Sequence, residues 1–315
     1  MKPLIIYHAD CTDGYGAAFA AWLRFGDKAD YFPAHYGRCD TVDQLADYLP
    51  AYHHRPVFII DFSFPRPVME SLMQDAASLV WLDHHATSFK DWCGPRYLAS
   101  NERFASCLTH PDTPLEPRVL IELDNTRSGA LIAWQYFHPD RPVPRLFAHI
   151  DDYDRWVFQL PNTQAFSLAL SSRAPWTFAQ WVDLSLELGT AAGPETSAYV
   201  QMLAEGRALL RMQDALVRSV IADAIPCQLP GSREIGLAVT CPLLLANDVG
   251  AALAKQSGTY GLCWYQKADG LLKVSLRSAG ALDVSALAAA HGGGGHKGAS
   301  GFHTSFGELK TWLRL

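Results

Sequence analysis

The chain has 315 residues, 49% hydrophobic and 18% charged, with a formal net charge of −6 at pH 7. That length allows two domains, and that composition excludes a disordered polymer. No apolar run approaches the roughly 20 residues that a membrane helix needs, and an acidic chain without Lys/Arg runs is unsuited to holding long duplex nucleic acid.

Strand-like runs are expected at Leu4–Tyr7, Asp30–Phe32, Val57–Ile60 and Leu79–Leu82, with helical patterns at Ala17–Phe25, Val42–Tyr48 and Val68–Ala77 between them. This βαβ rhythm predicts an α/β fold with a mostly parallel sheet covered on both faces. The Gly14 and Gly16 positions read as a sharp turn between the first strand and its helix. Residues 91–117 are proline-rich and irregular. Helices are expected near Ser128, at Arg145–His149 and over much of 176–224, with a break near Gly189–Pro194. The stretch Thr196–Ala224 reads as one long connecting helix. After Pro226 come strands at Ile235–Thr240, Tyr260–Tyr265 and Leu271–Leu276, the last two joined by a hairpin turn at Lys267–Gly270. The predicted organisation is therefore 1–165, a helical connector 166–225, and a smaller α/β domain 226–315. The seven cysteines are scattered without a Cys-x-x-Cys pair. Met1-Lys2-Pro3 leads into a strand without a secretory pattern, so reduced thiols in the cytoplasm are expected.

Three of the four apolar strands of the first domain are followed by metal-ligating residue types. His8, Asp10 and Asp13 follow the first, Asp61 the third, and Asp83-His84-His85 the fourth. Parallel strands place these at one sheet edge, where open α/β sheets bind ligands. A helical stretch adds Asp151, Asp152 and Asp154. Carboxylates and imidazoles in such number suggest bound cations, since the acids would otherwise repel one another. A helix cap accounts for one such residue but not for a carboxylate and two imidazoles at a single strand end. His53-His54, before a proline, reads as surface loop.

The Asp83-His84-His85 triplet, "DFS" at 61–63 and the His8/Asp13 loop resemble the DHH phosphoesterases. The segment "SLRSAG…DVSALAAAHGGGGHKGASGF", residues 275–302, resembles the DHHA1 domain that accompanies many of them. The resemblance implies metal ligation by His8, Asp13, Asp61, His84 and Asp152, with Asp61 bridging two ions. Alignment of "DDYDRW" points to Asp152, with Asp151 and Asp154 as alternatives. Asp61 and His85 are the implied catalytic residues, His85 facing the phosphate. Arg277, Ser278, Gly293, Gly294, Gly295 and His296 are the implied substrate-binding residues. Many members place an Asp where this chain has Cys11. Asp10 is the candidate replacement, and the site nearest His8 is expected to be weak.

An oxygen-and-imidazole ligand set suits two Mn2+ ions, with Mg2+, Co2+ or Zn2+ as alternatives. The implied activity is hydrolysis of short linear nucleotides, such as dinucleotides from opened cyclic messengers, to mononucleotides. Rival expectations are a 3′-phosphoadenosine 5′-phosphate phosphatase, a cyclic-dinucleotide phosphodiesterase, a polyphosphatase, or a non-catalytic nucleotide sensor. The expected partner is that small substrate, with neither membrane nor long duplex, and a homodimer is an open option.

Overall fold

The computed structural model describes residues 1–85, 88, 92, 119–280 and 282–314, apart from the His296 side chain, and the backbone alone at 103–104, 109–110 and 113–114. Most of the irregular stretch expected at 91–117 lies outside the described residues. Packing divides the chain into two units, Met1–Arg207 and Ala208–Leu315.

The first unit is built on β1 (Leu4–His8), β2 (Asp30–Ala34), β3 (Pro56–Ile60), β4 (Ser78–Asp83), β5 (Arg103–Phe104) and β8 (Val119–Asp124). Short β6 (Thr109–His110) and β7 (Thr113–Pro114) pair separately. The order is β2-β1-β3-β4-β8-β5, parallel except where β5 meets β8. Residues alternate between two apolar layers. Ile5, Ile60 and Leu82 face one; Leu4, Ile6, Val57, Ile59, Leu79 and Trp81 face the other. Burial on both faces is why these strands read as continuous apolar runs. Each fully buried Val, Leu or Ile contributes about 1.5–3 kcal/mol, so ionisable residues gathered at their ends need a separate reason.

Helix α1 (Thr12–Phe25) covers the first layer. On the opposite layer lie α2 (Leu45–Tyr48) and α3 (Arg66–Asp75). Helices α4 (Gly129–Phe137), α5 (Arg145–Asp154), α6 (Thr163–Ser172), α7 (Phe178–Leu188) and the start of α8 (Ser197–Ile221) complete the first layer. Phe166, Trp181 and Tyr199, from the stretch expected as a connector, lie in this core. The chain leaves β1 for β2 on one side and reaches β3 on the other. The carboxyl ends of β1 and β3 thus flank a topological switch point, the preferred ligand crevice of open α/β sheets.

The second unit holds a mixed sheet of order β13-β14-β12-β11-β10-β9. Its strands are β9 (Ile225–Cys227), β10 (Gly236–Thr240), β11 (Tyr260–Gln266), β12 (Leu272–Ser278), β13 (Gly294–His296) and β14 (Ala299–Thr304). Strands β10 and β11 are parallel, joined through α9 (Ala246–Ser257); the other pairs are antiparallel. The expected 267–270 hairpin turn is present, with Gly270 at φ +84°. Helices α10 (Val284–Ala289) and α11 (Phe306–Trp312) pack on the sheet. The architecture is the predicted α/β one with a second, smaller α/β unit. No described helix is long and apolar enough to cross a membrane.

Candidate metal centre

Helix α1 starts at Thr12, five residues before the expected Ala17, so Gly14 and Gly16 lie within the helix rather than in a turn. Their lack of a side chain serves close approach. A Cβ at Gly14 would stand 2.2 Å from the His8 carbonyl oxygen, and one at Gly16 would meet the Ala130 Cβ at 2.9 Å. The first turn of α1 is thereby pressed against the end of β1, bringing Cys11 and Asp13 beside His8.

Asp61 stands at the centre. It follows β3 with φ +53°, a conformation that Asp tolerates better than most residues and that is concentrated at functional sites. Its N–H donates to the Leu82 carbonyl at 2.9 Å. It is 1% exposed, yet neither carboxylate oxygen has a hydrogen-bond partner among the described residues, and the buried Nδ1 of His8 also lacks one. Imidazoles surround it: His84 Nε2 at 3.1 Å, His8 Nδ1 at 3.7 Å and His85 Nδ1 at 4.0 Å. Burial pushes the Asp61 carboxyl up, but the His8 and His84 rings outweigh it and hold it below the ordinary carboxylate range. Buried polar atoms almost always have a hydrogen bond, so a carboxylate held down by imidazoles yet without a hydrogen bond among the described residues fits a cation.

Three overlapping groups among the described residues have ligand atoms within 4.8 Å of one another: His8–Cys11–Asp61, Asp61–His84–His85 and Asp13–His84–Asp154. Asp61 and His84 each belong to two. Asp13, 1% exposed, accepts from the N–H groups of Gly129 at 2.7 Å and Ala130 at 2.9 Å, and its Oδ2 lies 3.5 Å from His84 Nε2. Burial, then Asp61 and Asp154, push the Asp13 carboxyl well up, while Asp61, Asp13 and Asp154 raise His84 against the effect of burial. Burial and the same three carboxylates push the Cys11 thiol up. A cation among these groups would relieve the repulsion. The nitrogen, oxygen and sulfur donors present fit divalent transition metals.

Asp83 holds the arrangement from behind. It is fully buried, and it accepts from the His84 backbone N–H at 2.8 Å, from Ser88 Oγ and from the His85 Nδ1–H at 2.7 Å. This fixes the tautomer and direction of His85.

Of the three fourth-motif candidates, the expected Asp152 is not among the residues whose ligand atoms gather at the centre. Asp152 accepts from Gln159 N–H at 2.7 Å, Leu160 N–H at 3.1 Å and Thr163 Oγ1 at 2.5 Å, so its carboxylate ties down the chain after α5. Asp151 accepts from Ser128 N–H at 2.7 Å and pairs with Arg155 at 3.0 Å. Asp154 is the one facing the centre, with Oδ2 3.5 Å from His84 Nε2. Asp10 does not join the group either. At φ +54° its side chain is 88% exposed and lies 3.4 Å from His35 Nδ1. Cys11 stands in the group instead.

Sequence reading also missed Tyr36 and Gly129. The Tyr36 ring stacks on Phe62 at 4.5 Å and stands edge-on to His8 at 5.1 Å. A Cβ at Gly129 would fall 2.4 Å from that of Asp61, so α4 approaches the centre at a distance only glycine allows. A Ser-Gly step after an apolar strand was the available signal for Gly129; Tyr36 had none.

In the second unit the expected substrate residues have other tasks as well. Arg277 donates to the Leu276 carbonyl at 2.7 Å and to Asn247 Oδ1, and Ser278 Oγ donates to the Leu282 carbonyl at 2.7 Å. The glycine run is not a free loop. Gly294 and Gly295 pair with β14 at the sheet edge, and the Gly293 N–H is donated to the Ala288 carbonyl at 2.9 Å, so it is unavailable as a phosphate donor. The His296 side chain lies outside the described residues.

No family model matches the chain. A curated protein of Acanthamoeba polyphaga mimivirus, R106, is 25% identical over 327 aligned positions, covering 98% of this chain and 69% of that protein. Among solved structures, RecJ from Thermus thermophilus in complex with Mn2+ matches at 14% identity and TM-score 0.48, over 98% of this chain and 50% of RecJ. The pGpG-specific phosphodiesterase PggH from Vibrio cholerae matches at 11% identity and TM-score 0.51, over 99% of this chain and 96% of PggH. The chain thus shares its fold, along its whole described length, with that phosphodiesterase.

Proposed function

We propose that the chain is a divalent-metal-dependent phosphoester hydrolase of the DHH/DHHA1 kind, acting on short linear nucleotides to release mononucleotides, with Mn2+ as the working metal. The observation that carries this reading is the buried, ionised Asp61 carboxylate without a hydrogen-bond partner among the described residues, ringed by His8, Cys11, Asp13, His84 and His85. The fold shared with a pGpG-specific phosphodiesterase supports the substrate class.

Bound divalent cations would supply an activated water and neutralise the charge that builds on the phosphoryl group. Asp61 would hold them, with His8, Asp13, His84 and Asp154 around it. Asp83 fixes His85 through Nδ1 and, against the effect of burial, favours its protonated form; as the imidazolium, His85 is assigned a hydrogen bond from Nε2–H to a phosphoryl oxygen. A cavity of about 600 Å3 opens beside His8 and Cys11, lined also by His35, Tyr15, Trp176 and Trp181. Its size lies within the range that encloses small ligands, and its aromatic wall suits a stacked base, at about 1–3 kcal/mol per base. A net charge of −6 without basic runs argues against extended single strands, which need a continuous positive track. In the second unit, Arg277 and His296 are proposed to hold substrate phosphate.

The test is a Mn2+-dependent assay on linear oligonucleotides from two to about ten nucleotides, beside cyclic dinucleotides, 3′-phosphoadenosine 5′-phosphate and polyphosphate. Dinucleotides should show the highest kcat/KM, with a steep fall by about five nucleotides. Rising efficiency with length would replace this reading with a general exonuclease. Binding without turnover would favour a sensor. Asp61→Asn is the control: the conformation is kept, and turnover should drop by about three orders of magnitude or more.

A further inference from the structure

We propose that Cys11 is a sulfur ligand of this centre, so that the position nearest His8 takes a thiophilic divalent cation such as Zn2+ or Co2+ in preference to Mg2+. The proposal rests on the metal-centre reading and deepens it. By the family resemblance Cys11 stands for a lost oxygen ligand; its surroundings point the other way.

Cys11 is the N-cap of α1, with extended backbone at φ −127° and ψ 135°, and its side chain makes no cap hydrogen bond. Ser, Thr, Asp and Asn are the residues that stabilise this position, so helix capping does not explain a cysteine there. Its Sγ lies within 4.8 Å of a ring nitrogen of His8 and a carboxylate oxygen of Asp61. Those two residues independently mark a ligand site. His8 Nδ1 and both Asp61 oxygens are buried and unpartnered among the described residues, and Asp61 is 1% exposed. Asp10, the nearest oxygen alternative, is turned outward to His35. Hard-ion sites are built from oxygen, whereas a thiolate beside an imidazole and one carboxylate selects softer ions.

The protein stripped of metal is titrated with Co2+ and followed by near-ultraviolet absorption. The wild type should develop an intense thiolate-to-cobalt charge-transfer band, which Cys11→Ser and Cys11→Asp lose while still binding cobalt. Cys11→Ser should weaken Zn2+ binding about tenfold or more and change Mn2+ binding far less, and Cys11→Asp should shift preference toward Mn2+. Far-ultraviolet circular dichroism checks that the variants fold. In the wild type, without any substitution, Zn2+ should slow iodoacetamide labelling of Cys11, read by peptide mass spectrometry. Cobalt binding without the band, or a band that both variants retain, overturns the sulfur ligand while leaving a metal centre. Absence of Co2+, Zn2+ and Mn2+ binding altogether overturns the centre itself and this inference with it.

Discussion

Asp152 and Asp154 lie two residues apart on α5 and have opposite duties, which separate substitutions distinguish. Asp152→Asn removes charge from an oxygen pair that accepts two backbone N–H groups and the Thr163 hydroxyl. It should lower stability by about 1–3 kcal/mol and leave metal content close to wild type. Asp154→Asn should do the reverse, lowering bound metal and turnover with little change in Tm. Thermal melts and metal analysis on both variants check the division; metal loss in Asp152→Asn alone would restore the sequence assignment. The reason the sequence misled is specific. Three aspartates within four positions of one helix differ only in the direction they leave it, and that direction depends on how α5 packs. Cys11 was read as a lost oxygen ligand because the family pattern carries Asp there; the sulfur ligand proposed above is a reading that only its neighbours His8 and Asp61 suggest. The gathering of Asp61, His84 and Asp13 was legible because each comes after an apolar run whose burial leaves an ionisable residue without a packing role.

At the scale of elements, the close approach of α4 to the centre is a point of weakness. Gly129→Ala would place a methyl group 2.4 Å from the Asp61 Cβ, and one of the two must move. Overpacking of this kind destabilises by about 1–3 kcal/mol. The larger expected effect is on kcat, because the residue displaced is Asp61; an active variant with only a lowered Tm would show that α4 can retreat without it. A second element-level prediction concerns acid. His149 on α5 is 2% exposed, stacks on Phe166, and is held between Thr163 Oγ1 at 2.8 Å and the Tyr199 hydroxyl at 2.9 Å. Burial pushes it down to about 4, with Asp152 opposing and Arg145 assisting. The unfolded chain therefore takes up this proton at higher pH than the folded one. Stability should be unaffected above about pH 6.5 and fall as pH drops from there to about 4, by on the order of 3 kcal/mol in total. Denaturant melts of wild type and His149→Gln across pH 4–7 test this; equal slopes would remove the assignment. The sequence indicated a helix at Arg145–His149, and the structure extends it to Asp154. The sequence did not reveal β8 or β9, the first after an irregular stretch and the second only three residues long around a proline.

Over the whole molecule, the two units invite separate assignments. Arg277→Ala should raise KM for a dinucleotide by about tenfold or more, as loss of a charge-assisted phosphate contact would, with bound metal unchanged. A parallel loss of metal would mean that the second unit does not act through substrate. The change of rhythm after Pro226 predicted a second α/β part from 226, with 166–225 as a connector; packing instead divides the chain between Arg207 and Ala208. The glycine run was not legible as an edge strand, because nothing local in four glycines specifies a pairing partner. The Asp13 carboxylate meets the N–H groups of Gly129 and Ala130 across 116 and 117 residues of chain, and Asp154 lies further on still. Contacts of such long sequence separation form late, after the loop entropy between them has been overcome. The centre therefore cannot exist on a nascent chain until the ribosome has released the segment through Asp154. A cation captured at that point would stabilise the completed first unit, by mass action, so the proposed metal would add to the stability of that unit as well as serve its chemistry.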